Sequence, residues 1–71
     1  MSDTIIKDYK LTIFKLKKKL SNTDYMALKF AEGELSEDEF SPMREKRREW
    51  RAEINRLEEC IRSIREEMKN A

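Results

Sequence analysis

The sequence predicts an all-α fold, a helical hairpin with a short connecting helix and a long C-terminal helix of coiled-coil character. The chain of 71 residues has one glycine and one proline, too few for a turn-rich β fold. Apolar residues make up 38% and charged residues 44%, which favours long helices that bury one stripe over a compact core. Apolar positions recur at steps of three and four residues. We expect residues 1–71 to form a single helical domain.

The first helix is predicted at about residues 3–20. One apolar stripe runs along it, formed by Ile6, Tyr9, Ile13, Leu16 and Leu20. Ile5 and Phe14 widen that stripe, so that this helix could contact two neighbours instead of one. The polar run Ser-Asn-Thr-Asp at 21–24 predicts its end, because such side chains compete for backbone hydrogen bonds.

A short second helix is predicted at about residues 24–32. Gly33, the only glycine, stands where a helix end commonly requires a left-handed residue. Ser36 and Glu39 then match the S-x-x-E capping box that begins a new helix. The sequence therefore predicts a corner between two helices at residues 33–36.

The third helix is predicted at about residues 37–69, and its heptad pattern is the clearest signal in the chain. The spacing alternates between four and three from Trp50 through Ile54, Leu57, Ile61, Ile64 and Met68. We expect the last five of these residues to form an oligomer seam. Pro42 either kinks this helix or marks a fresh start; we favour a continuous helix kinked near Ser41.

The predicted lengths favour self-association. A helix over 37–69 would span about 45 Å and one over 3–20 about 27 Å, so the first cannot cover the third. The half of the third helix beyond Leu57 would then need a partner. We expect an antiparallel helical-bundle oligomer, a homodimer or a larger assembly.

The composition argues against catalysis. The chain contains no histidine, the usual general acid–base at neutral pH, and it lacks the clustered cysteine and histidine of zinc sites. We expect no enzyme activity, no catalytic residue, no cofactor and no metal. The single cysteine, Cys60, and the absence of an apolar signal segment or a long apolar run predict a cytoplasmic protein without membrane contact.

A basic segment is the tentative ligand-binding site, consisting of Arg44, Arg47, Arg48, Trp50 and Arg51. Arginines one turn apart can converge on a phosphate, and an aromatic ring among them could stack on a nucleobase. The alternative is a solvated helix face with Trp50 in the core, which Glu45 and Glu49 support by offering i,i+4 pairs. A net charge of +1 makes DNA an unfavourable partner.

Arg47 also falls on the apolar seam of the third helix, where a charged residue costs stability unless it is paired. We expect a partner carboxylate from the first helix or from a second subunit, and the candidates are Asp8 and the group Glu37–Glu39. Without one, the arginine would point into a water-filled cavity, which would be a binding site.

The stretch from residue 24 to residue 58 resembles a helical segment found in small proteins and structural-protein ends of phages and prophages. The matching residues are Asp24-Tyr25, Leu28-Lys29, Ala31-Glu32-Gly33, Ser36, Glu39, Phe40, Pro42, Arg47, Trp50-Arg51, Glu53-Ile54-Asn55 and Leu57-Glu58. The resemblance covers about half of the chain and departs from the pattern at the basic start of the third helix. It implies a phage origin and a helical fold, and it assigns no catalytic residues.

Two functions from different classes fit these features. The first is a phage-encoded helical interaction and oligomerisation protein that binds another phage or host protein. The second is a counter-defence inhibitor or sponge in the host cytoplasm. It would bind an anionic nucleotide signal or a host defence effector through Arg44–Arg51.

Overall fold

The computed structural model describes residues 2–70, which form two long helices packed antiparallel, α1 (Ser2–Ala31) and α2 (Glu37–Asn70). The prediction of an all-helical hairpin is confirmed, and the described residues include no strand. The helices have 30 and 34 residues. At about 1.5 Å per residue, they are nearly equal in length. The hairpin is a thin rod with extents of 53 × 16 × 15 Å.

The predicted break at residues 21–24 is wrong, and there is no separate connecting helix. The segments predicted at 3–20 and 24–32 belong to one helix. Thr23 Oγ1 lies 2.9 Å from the carbonyl oxygen of Lys19 and 3.1 Å from that of Leu20, within its own helix. The hydroxyl is therefore satisfied by the preceding turn and does not end the helix.

The predicted corner is confirmed. Gly33 has a φ of 82°, and its amide donates to the carbonyl of Phe30 at 3.1 Å, while the amide of Glu34 donates to Lys29 at 2.8 Å. These two bonds close the end of α1 as a Schellman motif. The capping box forms in both directions, each bond between Ser36 and Glu39 measuring 3.1 Å.

Pro42 lies inside α2, at its sixth residue. It does not mark a fresh start: α2 is continuous from Glu37, as preferred, and the kink near Ser41 stays a prediction. The pyrrolidine nitrogen removes one hydrogen bond, to the carbonyl of Asp38. The remaining bonds of the first turns are supported by the cap at Ser36.

The core is the seam between the two helices. Its buried side chains are Ile6, Ile13 and Leu16 of α1 with Ile54, Leu57 and Ile61 of α2. Tyr9, Leu20, Trp50 and Ile64 pack around them, whereas Met68 is 48% exposed. The expectation that the second half of the long helix lacks an intramolecular partner is wrong. Because α1 is uninterrupted, it covers the seam of α2 within one chain.

Candidate protein-interaction surface

Arg47 is buried in the seam, 6% exposed, and its guanidinium is bound by α1. Nη1 donates to the carbonyl oxygen of Leu20 at 2.8 Å and to Thr23 Oγ1 at 2.6 Å, and Nη2 donates to Asp24 Oδ1 at 2.8 Å. The expected partners Asp8 and Glu37–Glu39 are therefore wrong, and the guanidinium does not face a cavity. The continuous α1 places residues 20–24 opposite Arg47, a register that a broken helix would not give.

Arg44 is engaged at the closed end of the hairpin. Its guanidinium lies 4.9 Å from the ring centroid of Phe30 and 5.4 Å from that of Phe40. The two rings stack with centroids 4.8 Å apart. Arg44 also forms a bidentate pair with Glu37, and this hydrogen bonding lowers the pKa of the Glu37 carboxyl and raises the pKa of Arg44. Arg44 thus stabilises the closed end of the hairpin.

The other members of the tentative ligand site do not meet Arg44 and Arg47. Arg48 is exposed, with Nη1 3.6 Å from Glu45 Oε1, and Arg51 is also exposed. Trp50 is half-buried against the core, with Lys19 Nζ 5.8 Å from its ring centroid. The structure thus distributes the five residues among the closed end, the seam and the exposed surface of α2.

A second apolar stripe lies on the outer surface of α1, and sequence reasoning missed it. Four large side chains are exposed there: Leu11 by 53%, Phe14 by 62%, Tyr25 by 58% and Leu28 by 63%. They follow a heptad of alternating three- and four-residue steps whose two central positions are Lys18 and Ser21. We call these six residues, Leu11, Phe14, Lys18, Ser21, Tyr25 and Leu28, the outer stripe.

The signal for the outer stripe was present in the sequence. Phe14 widens the apolar face of the predicted first helix, but the predicted break at 21–24 separates it from Tyr25 and Leu28. In a single helix at 100° per residue, the outer stripe lies about 130° from the seam. α2 therefore cannot cover it. Exposed apolar patches of this kind mark interaction sites in soluble proteins.

A groove lies at the open end of the hairpin. It has a volume of about 510 Å³ and a floor of Ile13 and Ile61, with a rim that includes Lys10, Arg65 and Lys69. A smaller groove of about 320 Å³ adjoins it and shares Lys10 and Arg65. The rim also carries Arg62, Glu58 and Glu66. It therefore has four basic side chains in total and two acidic ones. The groove therefore combines an apolar floor with an excess of positive charge.

Comparisons with protein-family models, with curated proteins and with solved structures found no match to this chain. Neither α1 nor α2 has a segment of the length and apolarity needed to cross a bilayer. Among residues 2–70, no group of three or more histidine, cysteine, aspartate or glutamate side chains is arranged to hold a metal ion.

Proposed function

We propose that this chain is a non-enzymatic helical interaction protein that acts by binding another protein through the outer stripe of α1. The observation that carries the proposal is that four large apolar side chains, each more than half exposed, lie on a helix whose other face is already buried. Removing this apolar surface from water is a favourable driving force for association.

The spacing of the outer stripe also indicates the shape of the partner. Side chains that repeat every three and four residues along a straight helix match the knobs-into-holes packing of another long helix. Phe14 and Tyr25 are the anchors of this surface, because aromatic side chains contribute most to binding hot spots. The partner surface is thus a helix with an apolar face.

A phage or prophage origin is part of the proposal, with the host cytoplasm as the site of action. It is supported only by the resemblance of residues 24–58 to helical segments of phage proteins. The counter-defence role through Arg44–Arg51 receives less support, because Arg44 and Arg47 are engaged within the chain.

Photo-cross-linking tests the proposal. A benzoylphenylalanine at Leu28 should cross-link to a protein in solution or in cells, whereas one at Arg48, on the outer side of α2, should not. Changing both Phe14 and Tyr25 to serine should abolish the Leu28 cross-link and leave helicity unchanged, since neither side chain is in the buried core. Equal cross-linking from Leu28 in the serine variant would refute the proposal.

A second candidate function, the binding of an anionic ligand, is favoured by the basic groove at the open end. Titration calorimetry with a panel of nucleotides tests it. Binding should weaken with added salt and be lost when Arg65 and Lys69 are changed to glutamate. Binding that is lost only when Arg48 and Arg51 are changed to glutamate would instead assign the ligand to the Arg44–Arg51 segment.

A further inference from the structure

We propose that the partner of the outer stripe is a second copy of this chain, packed with the two α1 helices antiparallel. This inference rests on the proposed function, in which the outer stripe is a protein-binding surface. Two observations identify a second copy as the partner: the symmetry of the apolar pattern and the distribution of charged residues beside the outer stripe. Both follow from the continuity of α1 across residues 21–24.

The apolar positions of the outer stripe have the same spacing when the helix direction is reversed. Reversing α1 about the point between Lys19 and Leu20 exchanges Leu11 with Leu28, Phe14 with Tyr25, and Lys18 with Ser21. A two-fold dimer interface must be self-complementary, since the same surface is presented by both subunits. In the antiparallel pair, Leu11 packs on the partner's Leu28 and Phe14 packs on the partner's Tyr25. Each apolar layer of one subunit therefore packs against an apolar layer of the other subunit.

The charged residues beside the stripe are complementary in the same register. At the ends of the stripe, Lys7 faces the partner's Glu32. On one flank, Asp8 faces the partner's Lys29, and on the other flank Lys17 faces the partner's Asp24. Symmetry repeats each contact, which gives six pairs of opposite charge along one interface.

The centre of the stripe is compatible with this packing. Lys18 faces the partner's Ser21, so a long side chain meets a small one, and the lysine stem can cover the seam while its ammonium group reaches water. Asp24 uses Oδ1 for Arg47, yet its side chain remains 60% exposed. Its other carboxylate oxygen is therefore accessible to the partner's Lys17.

A parallel pair does not have these properties. Equal positions would then face each other, with Lys7 on the partner's Lys7 and Lys18 on the partner's Lys18. Lys10 would also approach the partner's Lys15 across the flank. Like charges at these positions are repulsive, so the charge pattern selects the antiparallel arrangement. The resulting dimer has the two α1 helices at its centre and the two α2 helices outside.

Charge exchange between two variants tests the proposal. The first variant carries Asp8→Lys and Glu32→Lys, and the second carries Lys7→Glu and Lys29→Glu. Self-pairing of either variant places like charges at four contacts, while a mixed dimer places opposite charges at the same four. Each variant alone should associate roughly tenfold or more weakly than the native chain, and an equimolar mixture should recover association.

The measurement is the mass in solution by light scattering, over a concentration range that reaches about 200 µM. The native chain should give twice the 8.6 kDa of one chain at the upper end of the range. Both variants should stay near one chain mass when measured separately, and the mixture should return to two. The matched control is a charge-changing substitution at Lys15, which faces the uncharged Asn22 of the partner. It should weaken the association of the chain less than either charge-exchange variant does.

A disulfide test reads the register directly. With Cys60 changed to serine, a Leu11→Cys chain mixed with a Leu28→Cys chain should form a cross-linked heterodimer on oxidation. Leu11→Cys alone should not, because its two copies would lie about 26 Å apart along the dimer axis. A cross-link from Leu11→Cys alone, or no gain on mixing, overturns the antiparallel register.

Failure of this inference is separable from failure of the proposed function. A native chain that stays at 8.6 kDa at every concentration overturns self-association. If the Leu28 photo-cross-linker then still captures another protein in a manner that requires Phe14 and Tyr25, the outer stripe remains an interaction surface. If no cross-link of either kind forms, both are refuted.

Discussion

The guanidinium of Arg47 donates a 2.8 Å hydrogen bond to the carbonyl oxygen of Leu20, and this contact joins the first third of α2 to the second half of α1. The same group binds Thr23 and Asp24, so one side chain is held by a full turn of the opposite helix. Sliding one helix by a turn, about 5.4 Å, would break all three contacts. Arg47 therefore fixes the register of a seam whose other members are aliphatic and aromatic.

Replacing Arg47 with alanine should destabilise the hairpin by about 2–4 kcal/mol, because three charge-assisted hydrogen bonds and the buried side-chain stem are lost together. Urea unfolding followed by circular dichroism measures the effect. Arg48→Ala is the matched control and should change the free energy of unfolding by less than about 0.5 kcal/mol, since that side chain is exposed. Equal effects of the two variants would refute the register role.

An aspartate at Leu57 and an aspartate at Leu28 should have opposite consequences. Leu57 is 4% exposed in the seam, so Leu57→Asp loses about 1.5–3 kcal/mol of transfer free energy, adds the cost of a buried carboxylate and should unfold the chain. Leu28 is 63% exposed, so Leu28→Asp should keep its helicity. Circular dichroism distinguishes them. A folded Leu57→Asp chain would show that the seam is not the core.

Gly33→Ala should cost about 1–2 kcal/mol of stability. The cost is conformational, since an added Cβ would meet no atom within 4 Å, whereas the φ of 82° is unfavourable for any residue with a side chain. Gly33→Asn should lose less, because asparagine tolerates this conformation best among the other residues. Thermal unfolding of the two variants gives the comparison, and an alanine variant as stable as the native chain would contradict it.

Acid should weaken the corner of the hairpin. Hydrogen bonds from Arg44 and from Ser36 hold the pKa values of Glu37 and Glu39 below the ordinary 4.5. The stabilisation is therefore complete above pH 4.5 and is lost as the pH falls through the lower pKa of the folded state. The melting temperature should be nearly constant from about pH 5 to about pH 8, as no histidine titrates there, and fall below that range.

Glu39→Gln is the control for the pH experiment. Glutamine can still accept the hydrogen bond from the Ser36 amide, so the capping box persists while its titration is removed. The acid-induced fall of the melting temperature should therefore be smaller in this variant. An unchanged fall would assign the acid sensitivity to other carboxylates.

Local signals in the sequence were sufficient for α2 and for the corner. The heptad from Trp50 onward identified the buried face of α2, and the glycine stop and the capping box are chemical motifs that act within a few residues. Such features depend on the chain nearby, so they could be recognised without the partner helix.

The features that required the tertiary structure were the continuity of α1 and the partner of Arg47. The polar run at 21–24 is typical of a helix end when the segment is considered without its tertiary contacts. Here Arg47 supplies donors to Thr23 and Asp24 from the opposite helix, which favours the helical conformation of that segment. With the helix predicted to stop at residue 20, neither Asp24 nor the outer stripe could be placed.

The stacked pair Phe30–Phe40 has a consequence for the order in which the hairpin assembles. It closes a loop of only ten residues, whereas the contact of Arg47 with Leu20 spans 27 residues and the open end spans more. Loop-closure entropy rises with the separation along the chain, so the pair at the closed end is the least costly contact to form first. The contacts between the two helices should then form in order, from the corner toward the termini. Substitutions at Phe40 should slow folding, whereas those at Ile61 should mainly accelerate unfolding.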